Sequence, residues 1–324
     1  MNSRRDSVSL KSSNLKGFFV DDVAVLQITQ KKMDGIFYSN HLLQMKKEHI
    51  DGLVDDKFQP IRDSFRRNFS DGWERGGAAF AVYHHGKLVV DLWGGYADES
   101  CNRRWNDDTI TVLFSCTKSV AAICMAMLVD RGLCDYSDKV TRYWPEFGQH
   151  GKHDITIEMI LSHKAGLPYF EHAITLADLT DGLRMATIIE EEKPKYEPGA
   201  KTVYHVLTFG WLIDQVFCRI DPQHRTVGKF FREEIEQKHH VDVHIGECVS
   251  EEYRIARLSD LNIPLAVRGS WQVGHMGIGG QTIRLDTENN VVLCYLTNAI
   301  KAGAGEHVFT YNRLQRKVYE IIGK

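Results

Sequence analysis

Leu113-Phe114-Ser115-Cys116-Thr117-Lys118-Ser119-Val120 runs without a break into Ala121-Ala122-Ile123-Cys124-Met125-Ala126-Met127-Leu128-Val129. Apolar side chains fall on every face of the second segment, which predicts a helix buried all round, and Gly132 follows where a left-handed C-terminal cap belongs. Ser115 and Lys118 then occupy the first turn. Residues three apart share a helix face, so the lysine amine can reach the serine hydroxyl beside the unpaired N–H groups of a helix start. That is the outline of an activated nucleophile. The spacing alone does not decide the matter, because Ser13-Asn14-Leu15-Lys16 repeats it in a polar tail.

Outward from this helix, strand patterns lie towards the two ends of the chain and helical patterns between them. Phe58, Ile61, Phe65 and Phe69 recur at helical spacing, with Pro60 acceptable in a first turn. Ala78–Tyr83 and Leu88–Trp93 flank a turn at His84-His85-Gly86-Lys87 and read as a buried hairpin. Helical patterns dominate from Asp108 to Arg257. A second hairpin is predicted from Gly277–Leu285 and Val291–Leu296 around Thr287-Glu288-Asn289-Asn290, and a last helix over about 306–322 presents Val308, Leu314, Val318 and Ile321. The expected fold is α/β in the α+β sense: an antiparallel sheet built from the N- and C-terminal segments, flanked by helices, with an inserted helical domain. Residues 1–45 read as a polar tail. Residues 46–107 and 268–324 form the sheet subdomain, and 108–267 the helical one.

Composition narrows the function classes. The 324 residues are 43% hydrophobic, as a packed globular protein requires, and the net charge of −3 comes from 40 basic and 43 acidic residues with no basic block. Nucleic acid and anionic membrane surfaces are therefore not expected partners. No apolar run has the length of a membrane span. Seven scattered cysteines without a Cys-x-x-Cys pair fit reduced thiols and a cytoplasmic location. Arg4, Arg5, Lys11 and Lys16 in the serine-rich tail make a mitochondrial address the alternative.

Three elements can carry chemistry. Ser115 has Lys118 one turn away. Tyr204, in Pro198-Gly199-Ala200-Lys201-Thr202-Val203-Tyr204-His205-Val206, is a second candidate base, although a tyrosine before a helix is ordinarily a packing residue. Glycines in Gly274-His275-Met276-Gly277-Ile278-Gly279-Gly280 permit a ligand to approach the backbone, or mark a bulge. The run His239-His240-Val241-Asp242-Val243-His244 would put His240, Asp242 and His244 on one face of a strand. With no second cluster to complete a coordination sphere, no metal site is expected. No Gly-x-Ser-x-Gly elbow and no nucleotide-binding Gly-x-Gly-x-x-Gly is present, and no cofactor is expected. Cys116 is read as a small packing residue rather than a reactive thiol.

Taken in order, Ser115-Cys116-Thr117-Lys118, Tyr204-His205-Val206 and His275-Met276-Gly277 resemble the Ser-x-x-Lys, Tyr-x-Asn and Lys/His-x-Gly elements of serine β-lactamase-related proteins. That superfamily comprises class C β-lactamases, penicillin-binding proteins and related esterases, and the resemblance extends to its eukaryotic β-lactamase domain-containing type. Asp91-Leu92-Trp93-Gly94-Gly95, Tyr143-Trp144-Pro145-Glu146-Phe147 and Leu161-Ser162-His163-Lys164-Ala165-Gly166-Leu167-Pro168 look like further landmarks, so the likeness spans about residues 48–322. It implies a β-lactamase/transpeptidase-like fold and a serine acyl hydrolase acting on a small ester or amide. Ser115 would form an acyl-enzyme, and Lys118 and Tyr204 would share the proton transfers as a coupled pair. The N–H groups of Ser115 and Ile278 would hold the oxyanion, with His275 and Gly277 lining the substrate site. His275 would meet an acidic substrate group only when protonated.

Two departures qualify the likeness. Val206 stands where the family has asparagine and has no side-chain hydrogen bond to offer, which favours esters over β-lactams. Only 71 positions separate Tyr204 from His275, and the join within Ser259–Ser270 reads as a shortened helical region. The competing expectation is a non-catalytic scaffold or self-associating structural member with a compromised cleft. A homo-oligomer is compatible with either expectation.

Overall fold

The computed structural model describes residues 49–246, 249–262, 273–277, 279–301 and 308–323. The tail at 1–45, Ile278 and residues 263–270 of the join lie outside the described residues. In chain order the elements are β1 (Ile50–Val54), α1 (Gln59–Ser70), β2 (Gly77–His84), β3 (Lys87–Asp98), β4 (Arg103–Arg104), α2 (Thr117–Asp130), α3 (Ile157–Leu161), α4 (Leu176–Leu179), α5 (Gly182–Glu191), α6 (Thr208–Ile220), α7 (Val227–Phe231), α8 (Gln237–His239), β5 (Ser259–Asn262), β6 (Val273–Met276), β7 (Thr282–Asp286), β8 (Val291–Thr297), β9 (Ala299–Lys301) and α9 (Phe309–Ile322). They fall into two units. A helical unit holds Cys134–Lys229 and a short segment from Ile245, and a sheet unit holds the remaining described residues.

The sheet unit is built on an antiparallel sheet in the order β1-β3-β2-β8-β7-β6, with β4 beside β3. N-terminal β2 pairs directly with C-terminal β8, from Ala78 opposite Thr297 to His84 opposite Val291. The first hairpin closes through His85 and Gly86, both at positive φ (+49° and +73°), the two-residue turn whose twist matches its strands. Alternation along β8 buries Val291, Leu293 and Tyr295 on the face covered by α1 and α9, with Phe58, Ile61, Phe65, Phe80, Leu314 and Val318. On the other face Leu296 packs against Trp105, Ala97 and Ala256.

Two sequence expectations change. Helix α2 buries Ala121, Cys124, Met125 and Leu128, yet Ile123 is 55% exposed, so the helix is not buried all round. The glycine-rich stretch predicted as the start of a strand is a turn: Gly277 N–H donates to Gln281 O at 2.9 Å, Gly279 and Gly280 have φ of +92° and +112°, and β7 begins only at Thr282. The His239–His244 run follows a helix: His240 is left-handed (φ +53°) at the end of α8, so His240, Asp242 and His244 do not line a strand face. His244 instead lies 3.1 Å from both Glu236 and Asp242, and Asp242 pairs with Arg254.

Helix α2 ends as its sequence predicts. Gly132 (φ +70°) donates to Val129 O at 2.9 Å and Leu133 to Leu128 O at 3.0 Å, the paired bonds of a Schellman cap.

In the helical unit, Thr156 and Asp181 cap α3 and α5 through their side chains, and Thr175 with Asp178 forms a capping box on α4. Buried Lys152 places its ammonium 2.8 Å and 2.5 Å from the carbonyls of Glu190 and Glu192, closing the C-terminal end of α5 with a positive charge.

Candidate active site

Ser115 lies in a 3₁₀ turn, Phe114–Cys116, that leads directly into α2. The turn opens on Phe114 at φ +48°, a left-handed conformation that costs an aromatic residue about 1–3 kcal/mol and is held by its surroundings. Lys118, one turn on, brings Nζ to 3.3 Å from Ser115 Oγ. Burial alone lowers the lysine pKa from 10.5 to about 8, because its charged form loses hydration there. At neutral pH roughly a tenth of the amines are then uncharged and able to accept a proton.

Edge strand β6 and the turn after it pack against the same 3₁₀ turn. Cys116 donates its thiol hydrogen to His275 O at 3.5 Å, and burial pushes that thiol up to about 12, so it stays protonated at neutral pH. Gly277 is there for want of space: a Cβ would stand 2.6 Å from Leu113 O and 3.2 Å from Phe114 Cβ. His275 Nδ1 donates to Met276 O at 2.8 Å. Burial lowers the His275 pKa, and the charges of Lys118 and Arg284 add to that effect. Its neutral ring therefore dominates at pH 7, and it is poorly suited to hold an anion.

Tyr204 belongs to the helical unit, in the irregular segment before α6, and is 41% exposed. Its backbone neighbours are fixed. His163, left-handed at φ +61°, accepts Val203 N–H on its carbonyl at 3.0 Å and His205 N–H on Nδ1 at 3.1 Å. Buried His205 donates from Nδ1 to Val203 O at 2.7 Å and accepts Leu167 N–H on Nε2 at 3.0 Å, which fixes a neutral tautomer; burial lowers its pKa accordingly. Val206 and Leu207 follow as exposed apolar side chains.

The structure thus brings Ser115, Lys118, His275 and Gly277 together in the sheet unit and shows Tyr204 on a stitched loop of the helical unit. Ile278, the second expected oxyanion donor, is outside the described residues. Sequence reasoning assigned no role to His163 or His205, although both stood in quoted motifs. Their bonds to Leu167, Val203 and each other join segments about 40 positions apart, which spacing does not reveal. Among the described residues no cluster of three or more His, Cys, Asp or Glu side chains is arranged to hold a metal ion. None of their helices is long and apolar enough to cross a membrane.

Known proteins share this chain's family and fold. The Beta-lactamase family profile matches residues 65–268, well over half of the chain, and takes in Ser115, Lys118 and Tyr204. The chain is 36% identical over 199 residues to the esterase/beta-lactamase LipL of Mycobacterium tuberculosis, covering 60% of this chain and 44% of that one. It spans less than half the length of the curated relatives it matches. Among solved structures, a penicillin-binding protein homologue from Caulobacter crescentus superposes with a TM-score of 0.76 at 27% identity, and a family VIII carboxylesterase with 0.76 at 25%. Each match covers 84% of this chain and 99% of the other. With an antiparallel sheet that pairs N-terminal β2 with C-terminal β8 and a family profile matching residues 65–268, the chain belongs to the Beta-lactamase family.

Proposed function

We propose that the chain hydrolyses small, uncharged carboxylic esters through an acyl-enzyme on Ser115. The observation that carries this reading is the 3.3 Å approach of Lys118 Nζ to Ser115 Oγ, with the amine pKa brought down to about 8. Neutral Lys118 accepts the Ser115 proton as Oγ adds to the ester carbonyl. The backbone N–H groups of Ser115 and Ile278 take the developing oxyanion. Collapse of the tetrahedral adduct expels the alcohol, which leaves with the proton, and water then adds to the acyl-enzyme and releases the acid. Tyr204 serves as the second proton carrier, receiving and returning the proton on the leaving-group side.

Esters are favoured over β-lactams for two reasons. The aliphatic side chain of Val206 presents no hydrogen bond to a lactam's amide side chain, and a neutral His275 offers no charge to its carboxylate. LipL is named as an esterase as well as a β-lactamase, and one matched structure is a carboxylesterase, which agrees with the ester reading. The scaffold reading draws no support from these relatives.

Turnover of p-nitrophenyl acetate and butyrate by the wild type and by Ser115→Ala tests the proposal. Hydrolysis by the wild type and loss of about 10³-fold or more in the variant is expected. Equal rates for the two folded proteins would refute it.

A further inference from the structure

His163 grips the chain on both sides of Tyr204. Its carbonyl takes the N–H of the preceding residue, Val203, and its ring Nδ1 takes the N–H of the following one, His205. The same ring meets the Tyr204 ring edge-on, with centroids 4.7 Å apart at 67°, and lies 5.1 Å from that of Phe209. His163 is itself anchored by the end of α3: Ser162, His163 and Lys164 donate to the carbonyls of Glu158, Ile160 and Met159 at 2.8, 3.1 and 2.7 Å. A left-handed backbone (φ +61°) is what lets one residue offer its carbonyl and its ring to the same strand of chain. Around the gripped segment Leu167, His205 and Thr208 are buried and bonded to one another, yet Tyr204 keeps 41% of its surface.

We infer that His163 is a positioning residue for Tyr204, fixing the direction of its phenol through two backbone hydrogen bonds and a ring contact. The inference rests on the reading of Tyr204 as a proton carrier. Catalytic groups lose large factors in rate when displaced by about 1 Å, so a side chain bonded to the backbone on both sides of Tyr204 and touching its ring bears directly on where the phenol points. Nδ1 acts here as an acceptor, so the contribution of His163 depends on that nitrogen carrying no proton. Asparagine reproduces it: Oδ1 of Asn sits close to where Nδ1 of His sits, and asparagine tolerates the left-handed backbone.

Ester-hydrolysis kinetics and thermal unfolding of His163→Ala, His163→Asn, Tyr204→Phe and the double variant His163→Ala/Tyr204→Phe test the inference. His163→Ala is expected to lower kcat by about tenfold or more with KM within about twofold, and His163→Asn to recover most of that loss. Adding His163→Ala to Tyr204→Phe should change kcat little further, because the group being positioned is already gone. A folded His163→Ala with wild-type kcat, beside an impaired Tyr204→Phe, overturns the positioning role and leaves the tyrosine's role intact. Equal losses from His163→Ala with and without the Tyr204 hydroxyl overturn it too. An unimpaired Tyr204→Phe contradicts the underlying reading instead. If His163→Ala does not fold, His163→Asn still decides, since a loss as large as that of Tyr204→Phe with the acceptor retained contradicts the inference.

Discussion

Lys118 carries the clearest pH signature of any residue in the site. Its charged form is destabilised by burial, its pKa falls to about 8, and it works as a base only when neutral. Acylation should therefore rise with pH below about 8 and level off above it. A kcat/KM profile for an ester whose leaving group does not titrate in that range checks this; a rate that is flat from pH 6 to 9 would remove Lys118 as the base. The lowered pKa also opposes folding while the group is charged: the stability difference appears as pH drops through the unfolded value of 10.5 and is complete below about 8, so Lys118→Met should stabilise the fold at neutral pH while abolishing turnover. Gly277 is the second residue-scale test. A Cβ there would press on Leu113 O at 2.6 Å, so Gly277→Ala must shift the 3₁₀ turn that holds Ser115, and a loss of more than about tenfold in kcat/KM is expected with the fold retained. The serine–lysine pair was legible because its spacing is local. The strain at Phe114 and the grip of His163 were not, because each depends on contacts remote in sequence.

At the scale of elements, local signals served best where chemistry and geometry coincide. Pro60 marked the start of α1, His85-Gly86 the first hairpin, and Gly132 the end of α2. The cap of α2 offers a clean measurement, since nothing lies within 4 Å of a Cβ built on Gly132 and only its positive φ opposes a side chain. Gly132→Ala should cost about 1 kcal/mol, read as a lower urea midpoint at unchanged m-value, with the kinetics of Ser115 unaltered. Local pattern failed where glycines were frequent. Gly277–Gln281 carried the apolar and small residues of a strand, but three glycines within four positions allow a tight turn, and tertiary packing against Leu113 and Phe114 selected it. The parallel pairing of β5 with β9 left no trace in either segment alone, because it joins residues about 40 positions apart. His239–His244 alternates like a strand, but a left-handed His240 ends α8 there and breaks the period.

For the whole molecule, the joining of the two chain ends matters most. Glu74, just before β2, is buried and receives the Lys301 ammonium at 2.8 and 2.9 Å, the Thr297 hydroxyl at 3.1 Å and the Tyr295 hydroxyl. Asn298 completes the junction, accepting Gly77 N–H at 2.6 Å and donating to the carbonyls of Tyr96 and Ala97. Lys301→Met would leave the Glu74 charge buried and uncompensated at a cost of about 3–5 kcal/mol, and adding Glu74→Gln should recover part of it; denaturant unfolding of the single and double variants measures both. The sheet of two ends was readable from the distribution of strand patterns. This polar junction was not, since a glutamate before a strand and a lysine ending another give no sign of meeting. Every step proposed for the site begins with Ser115 as the nucleophile. Intact-mass analysis after treatment with a fluorophosphonate, followed by peptide mapping, is expected to show one adduct on Ser115 that Ser115→Ala abolishes. A folded protein that takes up no adduct, or takes it at another residue, would contradict a nucleophilic Ser115.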